Sequence, residues 1–100
     1  MTRAVLRLPA SHPSAEGHFP GNPIVPGAML LDEILAAIER SHALAPSVRA
    51  VWSAKFLHPV RPGDELEIEF TVAPGGDIRF HCWIGAVEAV TGVVRSRETA

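Results

Sequence analysis

The sequence has one cysteine, Cys82, and no tyrosine, and no apolar run approaches the length of a membrane span. A lone cysteine excludes an internal disulfide and any multi-cysteine zinc site. Crossing a bilayer takes about 18 consecutive apolar residues, and Met1–Ala10 carries arginines in place of a signal-peptide core. The expectation is a soluble, cytoplasmic protein with no membrane partner. Nine Lys+Arg against eleven Asp+Glu leave a net charge of −2 with no basic cluster, which argues against a nucleic-acid surface. His12, His42, His58 and His81 show no metal-ligand spacing with one another or with Cys82 and read as structural or surface groups. No glycine-rich phosphate loop follows a strand, and there is no Gly-x-Ser-x-Gly elbow. Neither metal nor cofactor is expected.

What is present suits one globular domain spanning residues 1–100. Hydrophobic residues make up 47% and charged residues 20%, an ordinary balance for a folded chain. A domain of this size buries about 60–70% of its unfolded surface, so it folds with little margin and an interface shared with another chain helps it.

Val5–Leu8 reads as a short strand ended by Pro9. From Ala10 to Gly27 the prolines and glycines are too dense for a helix or a central strand. That stretch also carries Phe19, Ile24 and Val25, as a structured loop pressed on a core does and a solvated linker does not. A helix follows over about residues 28–43. Leu31, Ile34, Leu35 and Ile38 recur at helical spacing, Leu30 and Ala37 widen the stripe, and Pro46 stops it. Asp32 and Glu33 fall in its N-terminal half, with Arg40 and His42 near its end. The remainder reads as strands. Val51–His58 alternates Trp52, Ala54 and Phe56 against Ser53 and Lys55, and Glu65–Val72 alternates without interruption. Turns are expected at Arg61–Asp64 and Pro74–Asp77. A third strand covers Ile78–Ala86, where Gly85 is a candidate bend, and Val90–Gly92 is a candidate turn into Val93–Arg97. One helix segregated against an antiparallel meander is an α+β architecture. A single helix leaves one sheet face for solvent or for another chain.

Three residues are candidates for chemistry. His18 sits in the proline-fixed loop, and an imidazole exchanges protons near neutral pH; a lone loop histidine is equally at home as a structural or exposed group. Asp32 shares a polar helix sector with Glu33, Glu39 and Arg40, the ordinary reading of which is a solvated face. Its neighbours one turn away, however, are Ala28, Met29, Leu35 and Ala36. Covering that face would raise the carboxyl pKa, and covering it takes a partner. Gly27, at the start of the helix, offers free backbone N–H groups to an oxyanion or a polarised carbonyl, or simply makes the turn after Pro26. Cys82 alternates with Ile78, Phe80 and Ile84 and belongs to the core.

Together, Gly17-His18-Phe19-Pro20-Gly21-Asn22-Pro23-Ile24-Val25-Pro26-Gly27 closely resembles the active-site loop of the hot-dog-fold 3-hydroxyacyl-ACP dehydratases, the 3-hydroxymyristoyl- and 3-hydroxydecanoyl-ACP enzymes. The family carries an acidic residue fourteen positions after the histidine, and here that residue is Asp32. Lys55–Leu66 resembles a second family signature. The resemblance implies a hot-dog fold, an antiparallel sheet wrapped around one long central helix. It also implies a homodimer, or a higher even oligomer, joined sheet edge to sheet edge, in which the histidine of one subunit faces the acid of the other.

The implied activity converts a 3-hydroxyacyl thioester, bound to acyl carrier protein or CoA, into the trans-2-enoyl thioester, in fatty-acid, related lipid, polyketide or aryl-polyene biosynthesis. In that scheme His18 is the general base, Asp32 the acid, and Gly27 polarises the thioester carbonyl. Phe19, Pro20, Val25, Pro26, Ala28, Met29 and Ala36 line an acyl tunnel between subunits. The chain departs from the family at Ala36, where glutamine is frequent, and it is expected to lack the N-terminal helix and first strand of longer members. A hot-dog thioesterase and a non-catalytic acyl- or carrier-protein-binding subunit are the competing expectations. Arg40, Arg49 and Arg61 are candidate contacts for an acidic carrier.

Overall fold

In the computed structural model, residues 2–8, 24–41 and 48–96 are described. The order is β1 (Thr2–Arg7), α1 (Gly27–Ser41), β2 (Val48–Phe56), β3 (Glu65–Val72), β4 (Asp77–Ile84) and β5 (Val87–Ser96). The strands form one sheet, ordered β1-β3-β4-β5-β2, with every neighbouring pair antiparallel. Among the described residues β1 and β2 are its two edges.

Strict alternation makes β3 bury Leu66, Ile68 and Phe70 and turn Glu65, Glu67 and Thr71 outward. Register carries this face across the sheet. Ala4 lies opposite Ile68, Ile68 opposite Cys82, Cys82 opposite Val90, and Val90 opposite Phe56. Against this face α1 lays its stripe of Leu30, Ile34, Ala37 and Ile38, all buried. Leu31 and Leu35, expected within the stripe, lie along its margin and pack against the core only in part. Asp32 and Glu33 fall beyond the first helical turn, which carries no acidic residue, so little of the dipole attraction expected for them survives there. The opposite face carries ion pairs. Arg3 pairs with Glu69 at 3.0 Å, Arg7 with Glu65, and the His81 ring with Glu88 at 2.8 Å. Exposed pairs of this kind contribute about 0–1 kcal/mol each.

Three expectations about the strands are corrected. Gly92 does not turn the chain; it lies inside β5, opposite Phe80 and Ala54. A methyl group there would meet the Phe80 ring at 2.6 Å and the Ser53 carbonyl oxygen at 2.7 Å. The glycine therefore serves close packing. The turn comes earlier, where Ile84 and Val87 pair around Gly85-Ala86 and Gly85 takes a φ of 57°, so that Gly85 ends β4 instead of bending it. In β2, Val51 faces Val94 while Ser53 faces Val93. Trp52 is thus the extra residue of a bulge and is 61% exposed. The expected turns at Arg61–Asp64 and Pro74–Asp77 are present, the first closed by the Asp64 N–H on the Arg61 carbonyl at 3.0 Å with Gly63 at φ 95°.

Gly92→Ala is expected to destabilise the protein by about 1–3 kcal/mol, because a ring and a backbone carbonyl both have to move. Gly75→Ala, where an added methyl meets nothing within 4 Å, is expected to stay within about 0.5 kcal/mol of the parent. Urea denaturation of the two variants checks the contrast.

Candidate active site

Two chain segments run side by side at one end of the helix. Ile24–Pro26 leads into α1, and Leu57–Val60 leaves β2. The Val25 N–H donates to the Val60 carbonyl at 2.8 Å, and both residues are buried. From the other side, the N–H groups of Leu57 and His58 donate to the Ala89 carbonyl of β5 at 2.8 and 3.3 Å. The second segment is therefore tied to the sheet and to the entry of the helix at once.

Between the segments lies a cavity of about 370 Å³, lined by Ile24–Gly27 and Leu30 on one side and by Phe56–Val60 on the other. Among the described residues its lining is apolar apart from backbone groups and the His58 ring. The Nδ1 of that ring lies 2.8 Å from the Pro59 carbonyl oxygen. A carbonyl only accepts, so Nδ1–H is the donor in this contact.

The helix N-terminus opens onto this cavity. The Leu30 N–H to Pro26 carbonyl bond, at 2.9 Å, is the first of the helical ladder. The N–H groups of Gly27, Ala28 and Met29 precede it and have no acceptor within the helix. Gly27 brings this positive end to the cavity wall. A methyl group on Gly27 would stand 3.1 Å from two ring carbons of Phe56. Glycine is what allows that ring to close over the start of the helix. An apolar hollow ending on N–H groups that the helix itself leaves without acceptors suits a ligand with a polarisable carbonyl and a hydrocarbon tail.

Of the residues singled out from the sequence, Val25, Pro26 and Gly27 meet in this cavity. Ala28, Met29 and Ala36 do not line it. Ala28 is exposed and Ala36 half-buried, on a helix face left open among the described residues, while Met29 is half-buried and packs against the core. Asp32 belongs to the same open face and is exposed. Its separation from Gly27 by roughly one and a half helical turns keeps it out of the cavity of its own chain. His18, Phe19 and Pro20 lie outside the described residues, as do His12, His42 and the Arg49 side chain. Arg40 and Arg61 are exposed. Sequence reading assigned no role to Phe56, Leu57, His58, Pro59 or Val60; the family-like Lys55–Leu66 stretch was the signal available for them. Cys82 is fully buried, and desolvation, with the charge of Glu88 adding to it, pushes its thiol up to about 12. It is a core group, not a nucleophile.

The model of the ApeI-like family, described by the ApeI dehydratase, matches residues 1–93. The 3-hydroxyacyl-(acyl-carrier-protein) dehydratase FabZ of Sodalis glossinidius is 37% identical over 89 residues, covering 78% of this chain and 59% of that enzyme. FabZ of Pectobacterium atrosepticum matches with the same identity and coverage. The chain thus spans a little under three fifths of the length of these curated relatives. Among solved structures, the dehydratase heterocomplex ApeI:P from Xenorhabdus doucetiae superposes with a TM-score of 0.78 at 23% identity, over 95% of this chain and 86% of that one. The fluoroacetyl-CoA-specific thioesterase FlK, as its F36A mutant, gives 0.64 at 12% identity, over 94% and 84%. The fold is the hot-dog fold, with its sheet laid along one long helix.

The Cys82 thiol is expected to resist a disulfide reagent in the native protein at neutral and mildly alkaline pH and to react at once on unfolding. Because its folded pKa lies above the ordinary 9.0, its contribution to stability is complete below about pH 9 and is lost as the pH rises toward 12. Thiol titration with and without denaturant, and melting temperature across that range, check both statements.

Proposed function

We propose, on the premise that the chain belongs to the ApeI-like dehydratase family, that it removes water from a 3-hydroxyacyl thioester carried by acyl carrier protein or CoA. The observation that carries this reading is the helix N-terminus at Gly27 opening into an apolar cavity, with His18 nine residues before it and Asp32 five after it.

In this mechanism the thioester carbonyl accepts from the backbone at the start of α1, which stabilises the negative charge that grows on its oxygen as the C2 proton leaves. His18 takes that proton. The electron pair forms the C2–C3 double bond, the C3–O bond breaks, and Asp32 supplies the proton that turns the departing hydroxyl into water. The products are a trans-2-enoyl thioester and water. Water from bulk then resets the two groups by a net proton transfer.

Asp32 reaches such a site from a second copy of the chain. Its open helix face, with Ala28 and Ala36, supports that arrangement, and so does the β2 edge, where Val51 and Trp52 are both well exposed. Two β2 edges joined antiparallel continue one sheet across a homodimer and cover these side chains. The whole chain is then a single hot-dog domain, with the site at the subunit boundary and the acyl tail in the cavity. The cytoplasm, where carrier proteins are met, is the compartment we assign to it. The heterocomplex among its structural neighbours supports a second reading, in which the pairing subunit is a different hot-dog chain.

His18→Ala and Asp32→Asn are each expected to lower kcat by roughly 10²–10⁴-fold with the fold intact, followed as enoyl thioester absorbance and checked by circular dichroism. Activity that survives both substitutions removes this mechanism; release of free thiol without enoyl product assigns the site to a thioesterase instead. Trp52→Glu is expected to convert the dimer to monomer and to abolish turnover, since each site then lacks its Asp32. Native mass measurement reads that change, and on the wild type it separates one chain paired with itself from one paired with another protein.

A further inference from the structure

Phe56 occupies an unusual place in the sheet. It ends the cross-strand row that runs through Ile68, Cys82 and Val90, and those three side chains are fully buried. Phe56 points to the same helix-facing side and yet is 48% exposed, because it sits past the end of the helix on the edge strand. Its ring stands against Gly27, with two of its carbons 3.1 Å from where a side chain on that residue would begin, and it forms part of the cavity wall. One ring therefore touches both the start of the helix and the hollow beside it.

We propose that Phe56 is the specificity-determining wall for the acyl group, setting how large a chain fits beside a carbonyl held at the helix N-terminus. The proposal rests on reading the cavity as the thioester site. A ligand whose carbonyl accepts from the first helical N–H groups has the atoms next to that carbonyl beside the Phe56 ring, since the ring already fills the space next to Gly27. The ring closes the cavity on this side, and the Val25 to Val60 and Leu57 to Ala89 backbone bonds hold its strand in place. Shortening the side chain opens volume where the acyl chain begins without removing a polar group. Selectivity among hydrocarbon chains comes from such fitting, because an apolar wall discriminates by size alone.

The test compares the wild type with Phe56→Leu and Phe56→Ala on 3-hydroxyacyl thioesters of short, medium and long acyl chain. Binding of non-reacting thioether analogues of the same series is measured by calorimetry alongside. The expected result is a shift of kcat/KM preference toward bulkier or longer chains by about tenfold or more in Phe56→Ala, with Phe56→Leu intermediate and the analogue affinities moving in parallel. A catalytically active wild type whose chain-length profile neither variant changes overturns the role of Phe56 and leaves the dehydratase reading standing. Analogue affinities that shift in the variants while no protein yields enoyl product support the wall and overturn the dehydratase reading. Should Phe56→Ala fold poorly, Phe56→Leu carries the comparison. Stability gives an independent readout of the contact. Gly27→Ala is expected to lower the melting temperature in the wild-type background and to lower it much less beside Phe56→Ala, whereas equal shifts in both backgrounds overturn the proposal.

Discussion

Burial of one helical stripe against the inner face of one sheet is the interaction on which this protein depends. Leu30, Ile34, Ala37 and Ile38 meet strands that offer Leu66, Ile68, Phe70, Ile78, Phe80, Cys82, Val90 and Val94, and among the described residues no other helix shares the work. Each fully buried side chain of this size contributes about 1.5–3 kcal/mol of transfer free energy, set against the conformational entropy of ordering the chain. In so small a domain the packing has to be tight, and Gly92 beneath the Phe80 ring shows how tight it is.

That same arrangement produces the cavity. The helix stripe runs out at Gly27 while the sheet continues to Phe56, so the end of the helix faces the edge strand across a gap that neither fills. Two ties keep the gap from collapsing, the Val25 N–H on the Val60 carbonyl and the Leu57 N–H on the Ala89 carbonyl. Both lie in the backbone, which makes the shape of the hollow a property of the fold more than of particular rotamers. A helix that begins at Gly27, just after Pro26, then places N–H groups with no acceptor within the helix at its mouth. Apolar walls beside a concentrated positive end serve carbonyl chemistry on a hydrocarbon substrate, because the low-dielectric surroundings strengthen what the N–H groups do.

Legibility in the sequence followed the regularity of the local environment. β3 has one face on the core and one in water, so Leu66, Ile68 and Phe70 announced it residue by residue. The helix was legible for the same reason, with its buried centre displaced toward Leu30 and Ala37. Where one residue answers to two neighbours the pattern misled. Gly92 resembles a turn residue because glycine usually marks one, whereas here a ring from β4 and a carbonyl from β2 exclude any side chain. Trp52 fits an alternating strand, but a register shift against β5 makes it a bulge residue. The far wall of the cavity was missed on similar grounds: nothing local in Phe56–Val60 says that a segment some thirty residues earlier lies against it.

The sequence by itself determined the class of the fold and the positions at which chemistry is possible. Periodicity reports which face of an element is apolar, and the spacing of His18, Gly27 and Asp32 is a property of the chain. Only the tertiary structure decided which of these positions share a space. Val25, Pro26 and Gly27 enclose a hollow with Phe56 and Val60, and Asp32 stands on a different face of the same helix. Proximity across the sheet is set by strand order, register and the closing of β2 on β5, and these are long-range contacts that no window of local sequence contains.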